Sequence, residues 1–351
     1  MKQNIASGIV SRITEWVMFR PALARKILSA WAGERSAFRA ADRHIVMSYP
    51  MADQLLSRNR QFHLADAMRD RIAVGEFLLN LEPPGLYDSD KQIILDAFYG
   101  SSPNLPSLLV EIREFCSAAA ARLLAGKSSI DVVAGFLEVV SADVVLKYFL
   151  GKNRAASEDE IGHIRSLSKL IVASDPKDRA LVLAAQDALK HLEGVLDEVY
   201  ASYKQNPIPG DDAFTRMLHA GVDRKIAQRN VLGMATAGTA TVSRAGGQAL
   251  DSLLRQPQRV IRACQQAACA QDEKLVLKFI IEALRFNPLF PFVLRHAVED
   301  TTIELDNGER YLFEAGSSIG VSLMNAMFDP CLLYTSPSPR DATLSRMPSS
   351  A

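Results

Sequence analysis

Between residues 230 and 257 the chain reads Asn230-Val-Leu-Gly-Met-Ala-Thr-Ala-Gly-Thr-Ala-Thr-Val-Ser-Arg-Ala-Gly-Gly-Gln-Ala-Leu-Asp-Ser-Leu-Leu-Arg-Gln-Pro257, with no turn dipeptide before Gln256-Pro257. Leu250, Leu253 and Leu254 recur at helical spacing, so the stretch predicts one long helix ended by proline. Its middle opposes that helix. Gly233, Gly238, Gly246 and Gly247 each cost about 1 kcal/mol relative to alanine, and Thr236, Thr239, Thr241 and Val242 are weak helix formers. A helix that tolerates this penalty presents a bare surface. Something flat or bulky then lies against Ala237, Gly238 and Thr241, either a neighbouring backbone or the face of a cofactor. Taken alone, close helix packing is the simpler account.

A second stretch changes that balance. Glu282-Ala-Leu-Arg285-Phe-Asn-Pro288 sets an acid and a base three apart on a helix that stops before proline, and Arg295 follows in a short apolar run. In combination these residues resemble the cytochrome P-450 family of haem-thiolate monooxygenases. Ala237-Gly238-Thr239-Ala240-Thr241 is similar to the family's central-helix motif Ala-Gly-x-Asp/Glu-Thr, and Glu282-x-x-Arg285 to its Glu-x-x-Arg motif. Arg295 stands where the family keeps an arginine for a haem propionate, and Ala326-Met-Phe-Asp329-Pro330 resembles its Ala-Asn-Arg-Asp-Pro segment. Each motif is short; their order and spacing carry the match, which covers residues 41–330. The resemblance implies a mainly α fold with small β-sheets (α+β), incomplete at the C-terminus.

Bulk properties agree with one large helical domain over residues 1–330. Of 351 residues, 48% are hydrophobic, ample for a core, and 40 basic residues cancel 40 acidic ones. That balance argues against a nucleic-acid partner. Cys116, Cys264, Cys269 and Cys331 show neither metal-ligand nor disulfide-framework spacing, which suits a reducing compartment. No apolar run reaches membrane-spanning length and the start lacks a signal peptide's apolar core, so a cytoplasmic protein without a membrane span is expected.

Taken in order, residues 11–31 carry a rough amphipathic helical pattern, 44–49 reads as a strand and 51–57 as a helix. Pro83-Pro84 break the chain and a helix resumes over 87–98, with Tyr87 and Lys91 one turn apart. The family commonly has a histidine and an arginine here on a haem propionate, and the resemblance gives those roles to Tyr87 and Lys91. Residues 105–151 read as helical, with a cap at Ser128-Ser-Ile-Asp131. Helices over 158–172 and 177–203 carry His163 and His191, each a lone helical histidine of the kind that usually packs; the resemblance sets the pair over the substrate pocket. Pro207-Ile-Pro-Gly210-Asp211-Asp212 reads as a turn and capped helix rather than a magnesium site, because no second carboxylate cluster faces it. Residues 271–286 form the Glu-x-x-Arg helix, and the resemblance places Glu282 and Arg285 in a buried network with a further arginine beyond the Asp-Pro segment. Residues 301–305, 309–313 and 318–322 read as strands, separated by turns at Asp306-Asn-Gly308 and Glu314-Ala-Gly316.

The resemblance stops at Cys331. The family's Phe-x-x-Gly-x-x-x-Cys-x-Gly loop, which supplies the axial thiolate, has no counterpart, and Leu-Leu-Tyr-Thr-Ser-Pro-Ser-Pro-Arg-Asp follows instead. This tail, with Ser345-Arg-Met-Pro-Ser-Ser-Ala351, back-translates in ordinary codons into a transposase-type sequencing adapter. Residues 331–351 are therefore expected to be a translated adapter, and the 351-residue chain a fragment without a haem-ligating cysteine or other metal ligand.

For the intact parent, the resemblance implies haem b (iron protoporphyrin IX), reductive oxygen activation, and insertion of one oxygen atom into a small or medium apolar substrate. Electrons are expected from a separate partner of ferredoxin or flavodoxin type, since the chain has no flavin or iron-sulfur motif. Thr241 is the expected hydroxyl for dioxygen and its proton supply. Ala240 replaces the family's acid and cannot relay a proton. A haem-thiolate enzyme that uses peroxide or rearranges a hydroperoxide is the nearest rival. A non-catalytic helical binding protein is the rival of another class.

Overall fold

Residues 20–40, 43–100, 105–172 and 175–330 are described by a computed structural model. Residues up to 19 of the first helical pattern, and the whole of 331–351 with Cys331, lie outside the described residues. The chain divides into two compact units, one from Met1–His63 with Gln248–Ala351, the other Leu64–Gly247.

In the first unit α1 (Pro21–Ala32) carries proline in its first turn and ends at Gly33, where φ is 61°. Strands β1 (Ala37–Ala40) and β2 (Arg43–Val46) follow as an antiparallel pair. The strand expected over 44–49 stops at Val46, because the Ser48 hydroxyl accepts from Met51 N and caps α2 (Tyr49–Ser57). Met51, Ala52 and Leu55 are the buried stripe of α2. The short β3 (Phe62–His63) closes this first pass.

In the second unit Gly85, at φ 98°, leads into α3 (Leu86–Leu95), which passes into a π-helical turn at Asp96–Gly100. Next come α4 (Leu105–Leu124) and α5 (Glu138–Val144), the latter flanked by π-helical turns at Val133–Leu137 and Val145–Phe149. The helical stretch read over 105–151 divides at Gly126, φ 68°, just before the expected cap, where the Asp131 carboxylate accepts from Val133 N and Ala134 N at 2.9 Å. Helix α6 (Glu158–Val172) has the bounds the periodicity predicts. Helix α7 (Arg179–Gln205) starts two residues later than expected because Asp178 is its N-cap. Asp212 caps α8 (Ala213–His219) by accepting from Thr215 N at 2.8 Å and Thr215 Oγ1 at 2.6 Å, which accounts for the acidic pair as a helix start. The chain leaves this unit inside α9 (Arg224–Leu254). The unit has its own core, including Leu146, Ile164, Leu192, Leu196, Phe214 and Val231.

Back in the first unit, α10 (Gln258–Cys269) and α11 (Glu273–Phe286, capped by Asp272) precede β4 (Phe292–Ala297), β5 (Thr301–Glu304), β6 (Arg310–Phe313), β7 (Ser318–Ser322) and the short α12 (Leu323–Ala326). The larger sheet has the order β1-β2-β7-β4-β3, with β2 and β7 parallel and the other neighbours antiparallel; β5 and β6 form a separate hairpin. Strand β4 was not expected. It pairs on both edges, and a doubly paired strand shows little of the alternation that reveals a half-solvated one. Val46, Met51, Leu55, Phe62, Phe313, Ile319 and Val321 pack as this unit's main core.

Candidate functional site

The four glycines of α9 are of two kinds. A Cβ on Gly233 falls 2.3 Å from Phe77 Cδ2; on Gly246, 3.0 Å from Leu137 Cδ1; on Gly247, 3.1 Å from Val133 Cγ2. Phe77 leaves no room for a Cβ at Gly233, and Leu137 and Val133 pack tightly on the helix backbone at Gly246 and Gly247. At Gly238 a Cβ meets no atom of the described residues within 4 Å. Close packing therefore accounts for three glycines and leaves the fourth, which carries the Ala-Gly-x-x-Thr pattern, facing open space.

At 3.6 residues per turn, Ala237, Gly238 and Thr241 share one face, and all three are half-buried. Ala240 is turned away and is 6% exposed. The Thr241 hydroxyl donates to Ala237 O at 2.9 Å and shares the bond with Gly238 O at 3.0 Å, so its oxygen lone pairs stay available as acceptors. Thr236 donates likewise to Leu232 O and Ser243 to Thr239 O, a local satisfaction that lets hydroxyl residues sit inside a helix. Thr239 is buried and its Oγ1 lacks a hydrogen-bond partner.

Tyr87 and Lys91 lie on one turn of α3, with the ammonium 5.8 Å from the Tyr87 ring centroid. Tyr87 is half-buried and Lys91 exposed. Arg295 is half-buried on β4 opposite Ile319 of β7, and its Nη1 donates to Leu294 O at 2.8 Å.

Glu282 and Arg285 form a buried bidentate pair, with Nε to Oε2 at 2.8 Å and Nη2 to Oε1 at 2.7 Å. The Nη1 of Arg285 is buried and has no hydrogen-bond partner. The guanidinium also stacks on Phe286 and Phe328, 4.4 Å from each centroid. A second guanidinium, Arg25 of α1, lies 3.5 Å from the Phe328 centroid. Burial and then the charge of Arg285 push the Arg25 pKa below its ordinary value. Arg25 was missed in the sequence: an arginine on an amphipathic N-terminal helix carries no sign of a partner three hundred residues away. The neighbouring Asp329 holds its segment to α2 by accepting from Tyr49 N at 3.0 Å.

The described cysteines do not suit an axial thiolate. Cys116 and Cys264 are half-buried, and burial pushes both thiols up, opposite to the environment that makes a ligand sulfur. Cys269 is exposed.

No protein-family profile and no curated protein matches the sequence. Solved structures do match. CYP109E1 from Bacillus megaterium in complex with testosterone superposes with a TM-score of 0.66 at 16% identity, over 89% of this chain and 78% of that one. The versatile CYP109B1 from Bacillus subtilis gives 0.65 at 16%, over 90% and 79%. A mutant of EryK in complex with erythromycin B gives 0.64 at 18%, over 89% and 76%. The architecture shared with these structures is mainly helical with small sheets. The chain has the bacterial cytochrome P-450 fold.

Proposed function

We propose that the chain derives from a haem-thiolate monooxygenase that inserts one oxygen atom into a small or medium apolar substrate in the cytoplasm, with electrons from a separate ferredoxin- or flavodoxin-type partner. The observation that carries this reading is Gly238, whose Cβ position no described residue covers, unlike the other three α9 glycines. A bare strip of Ala237, Gly238 and Thr241 fits the face of a planar macrocycle. No described cysteine fits as its axial ligand.

When bound, haem b supplies the activation of dioxygen, in which two electrons and two protons send one oxygen atom to the substrate and one to water. The chain's own residues bind and orient. Tyr87 would donate a phenolic hydrogen bond to a propionate, with Lys91 the cation one turn further along α3. Ala237 and Gly238 admit the ring face. Thr241 anchors its proton on the Ala237 carbonyl and presents lone pairs that hold a water and thereby a proton at Oγ1. Ala240 offers no proton. Glu282 and Arg285 hold each other on α11 and are assigned no chemical step.

Titration of the purified chain with hemin, followed by absorbance, tests the reading apart from turnover. One equivalent is expected to bind wild type, and Gly238→Leu, which fills open space, should not lower the apo thermal midpoint and should lose at least tenfold in hemin affinity. Equal hemin binding by both proteins refutes the assignment of this face.

A further inference from the structure

The two histidines that stand alone in the sequence meet in the fold. His163 of α6 and His191 of α7 stack with ring centroids 4.3 Å apart and an interplanar angle of 23°. The helices that carry them pack side by side, and each contributes buried leucines to the shared core, Leu167 and Leu170 from one and Leu192 and Leu196 from the other. His163 is half-buried and His191 exposed, so the pair opens to solvent on one side. Neither ring has a role in the haem reading above.

We propose that His163 and His191 form a two-imidazole site for a divalent first-row transition ion such as Zn²⁺ or Cu²⁺, bridging α6 and α7. Neutral imidazole is the commonest nitrogen ligand for these ions. A zinc–nitrogen bond of about 2.0–2.1 Å places two ligand nitrogens roughly 3.3–3.5 Å apart at a tetrahedral angle. The rings are held 4.3 Å apart in a stack whose in-plane lone pairs run side by side, so binding one ion requires both to rotate out of the stack about their side-chain bonds until two nitrogens converge. Among the described residues no third histidine, cysteine or carboxylate completes a cluster, so water or an incoming donor takes the remaining positions. Such a site is open and exchangeable, unlike a closed structural zinc site. Its effect is to pin two helices to each other, and because it binds only the folded arrangement it raises stability with metal concentration.

The experiment uses the untagged, reduced 351-residue protein and two metals. Calorimetric titration with Zn²⁺ should show one saturable equivalent that weakens as the solution is acidified. One equivalent of Cu²⁺ should give an electron paramagnetic resonance spectrum with couplings to two nitrogens. His163→Phe and His191→Phe keep a ring in the stack and should each abolish that equivalent. Replacing the exposed His219 with alanine should leave it intact. His191→Gln, at a solvated position, repeats the test should a phenylalanine variant fold poorly. Binding that survives either replacement, loss with only one of the two, or no saturable binding in wild type overturns the bridge.

Discussion

Glu160 shows how a single side chain sets a pH dependence. Burial raises its pKa, but Arg154, donating to both carboxylate oxygens at 2.7 and 2.6 Å, and Ser157 outweigh that effect and hold it at about 2. The folded pKa lies below the unfolded one, so the stabilisation is full above the ordinary carboxylate range and is lost as pH falls toward 2. Arg154 is half exposed, which discounts the linkage to about 1–3 kcal/mol. Denaturant melts between pH 5 and pH 2 should therefore converge for wild type and Glu160→Gln; parallel curves across that range would refute the linkage. At Ala240 the methyl is buried, so Ala240→Asp places a carboxylate in a site packed for alanine and should destabilise by about 1–3 kcal/mol. Restoring the family's acid is thus not a one-residue repair. Thr241→Val, at a half-buried position, should stay within about 1 kcal/mol of wild type and, in the full-length parent loaded with haem, lower the fraction of electrons that reach product. Unchanged coupling would remove Thr241 from the proton path.

At the scale of the element, α9 separates packing glycines from the open one. Gly233→Ala drives a methyl into the buried Phe77 ring, and overpacking of this kind costs about 1–3 kcal/mol, more than the roughly 1 kcal/mol gained in helix propensity. Gly238→Ala meets nothing and keeps only the gain, so it should raise the apo thermal midpoint while Gly233→Ala lowers it. Opposite signs are the diagnostic; a shared sign would mean that Gly238 is also covered. That one unbroken helix runs through all four glycines was legible in the turnless stretch, although it starts at Arg224, six residues before Asn230. Which glycine faced protein and which faced space was not, since Phe77, Leu137 and Val133 lie in separate elements with no periodic link to α9. Helix starts were legible to within two residues where Ser48, Asp178 and Asp212 cap them. Strand β4 was hidden by its two paired edges, and the π-helical turns around α5 have the same composition as the helix they interrupt.

At the scale of the whole molecule, the two units differ in how the chain builds them. Every member of the large helical core lies within 64–247, an uninterrupted segment. The other unit is discontinuous: β2 pairs in parallel with β7, Arg43 opposite Ser318, and Arg25 of α1 stacks on Phe328. Its sheet cannot close until both ends of the chain are present, and that closure carries the entropy of a loop most of the chain long. Residue pattern and turn signals revealed strands near 44–49 and over 301–322, yet the pairing of the first with the last depends on register, which hydrophobic pattern alone leaves open. A segment with a private core and short helix–helix connections needs no such closure. Residues 64–247 expressed alone should therefore be strongly helical by far-ultraviolet circular dichroism and melt cooperatively, at a lower midpoint than the full chain because α9 is cut at Gly247. The key residue pairs for this test are internal to the segment: Arg122 with Asp143 at 2.7 Å, Arg229 with Asp90 at 2.6 Å, and Phe77 against Gly233. Phe77→Ala should lower the fragment's midpoint and the full chain's alike. A fragment that shows helix without a cooperative transition would mean that its core is completed from outside 64–247, and the division into two self-sufficient units would fail.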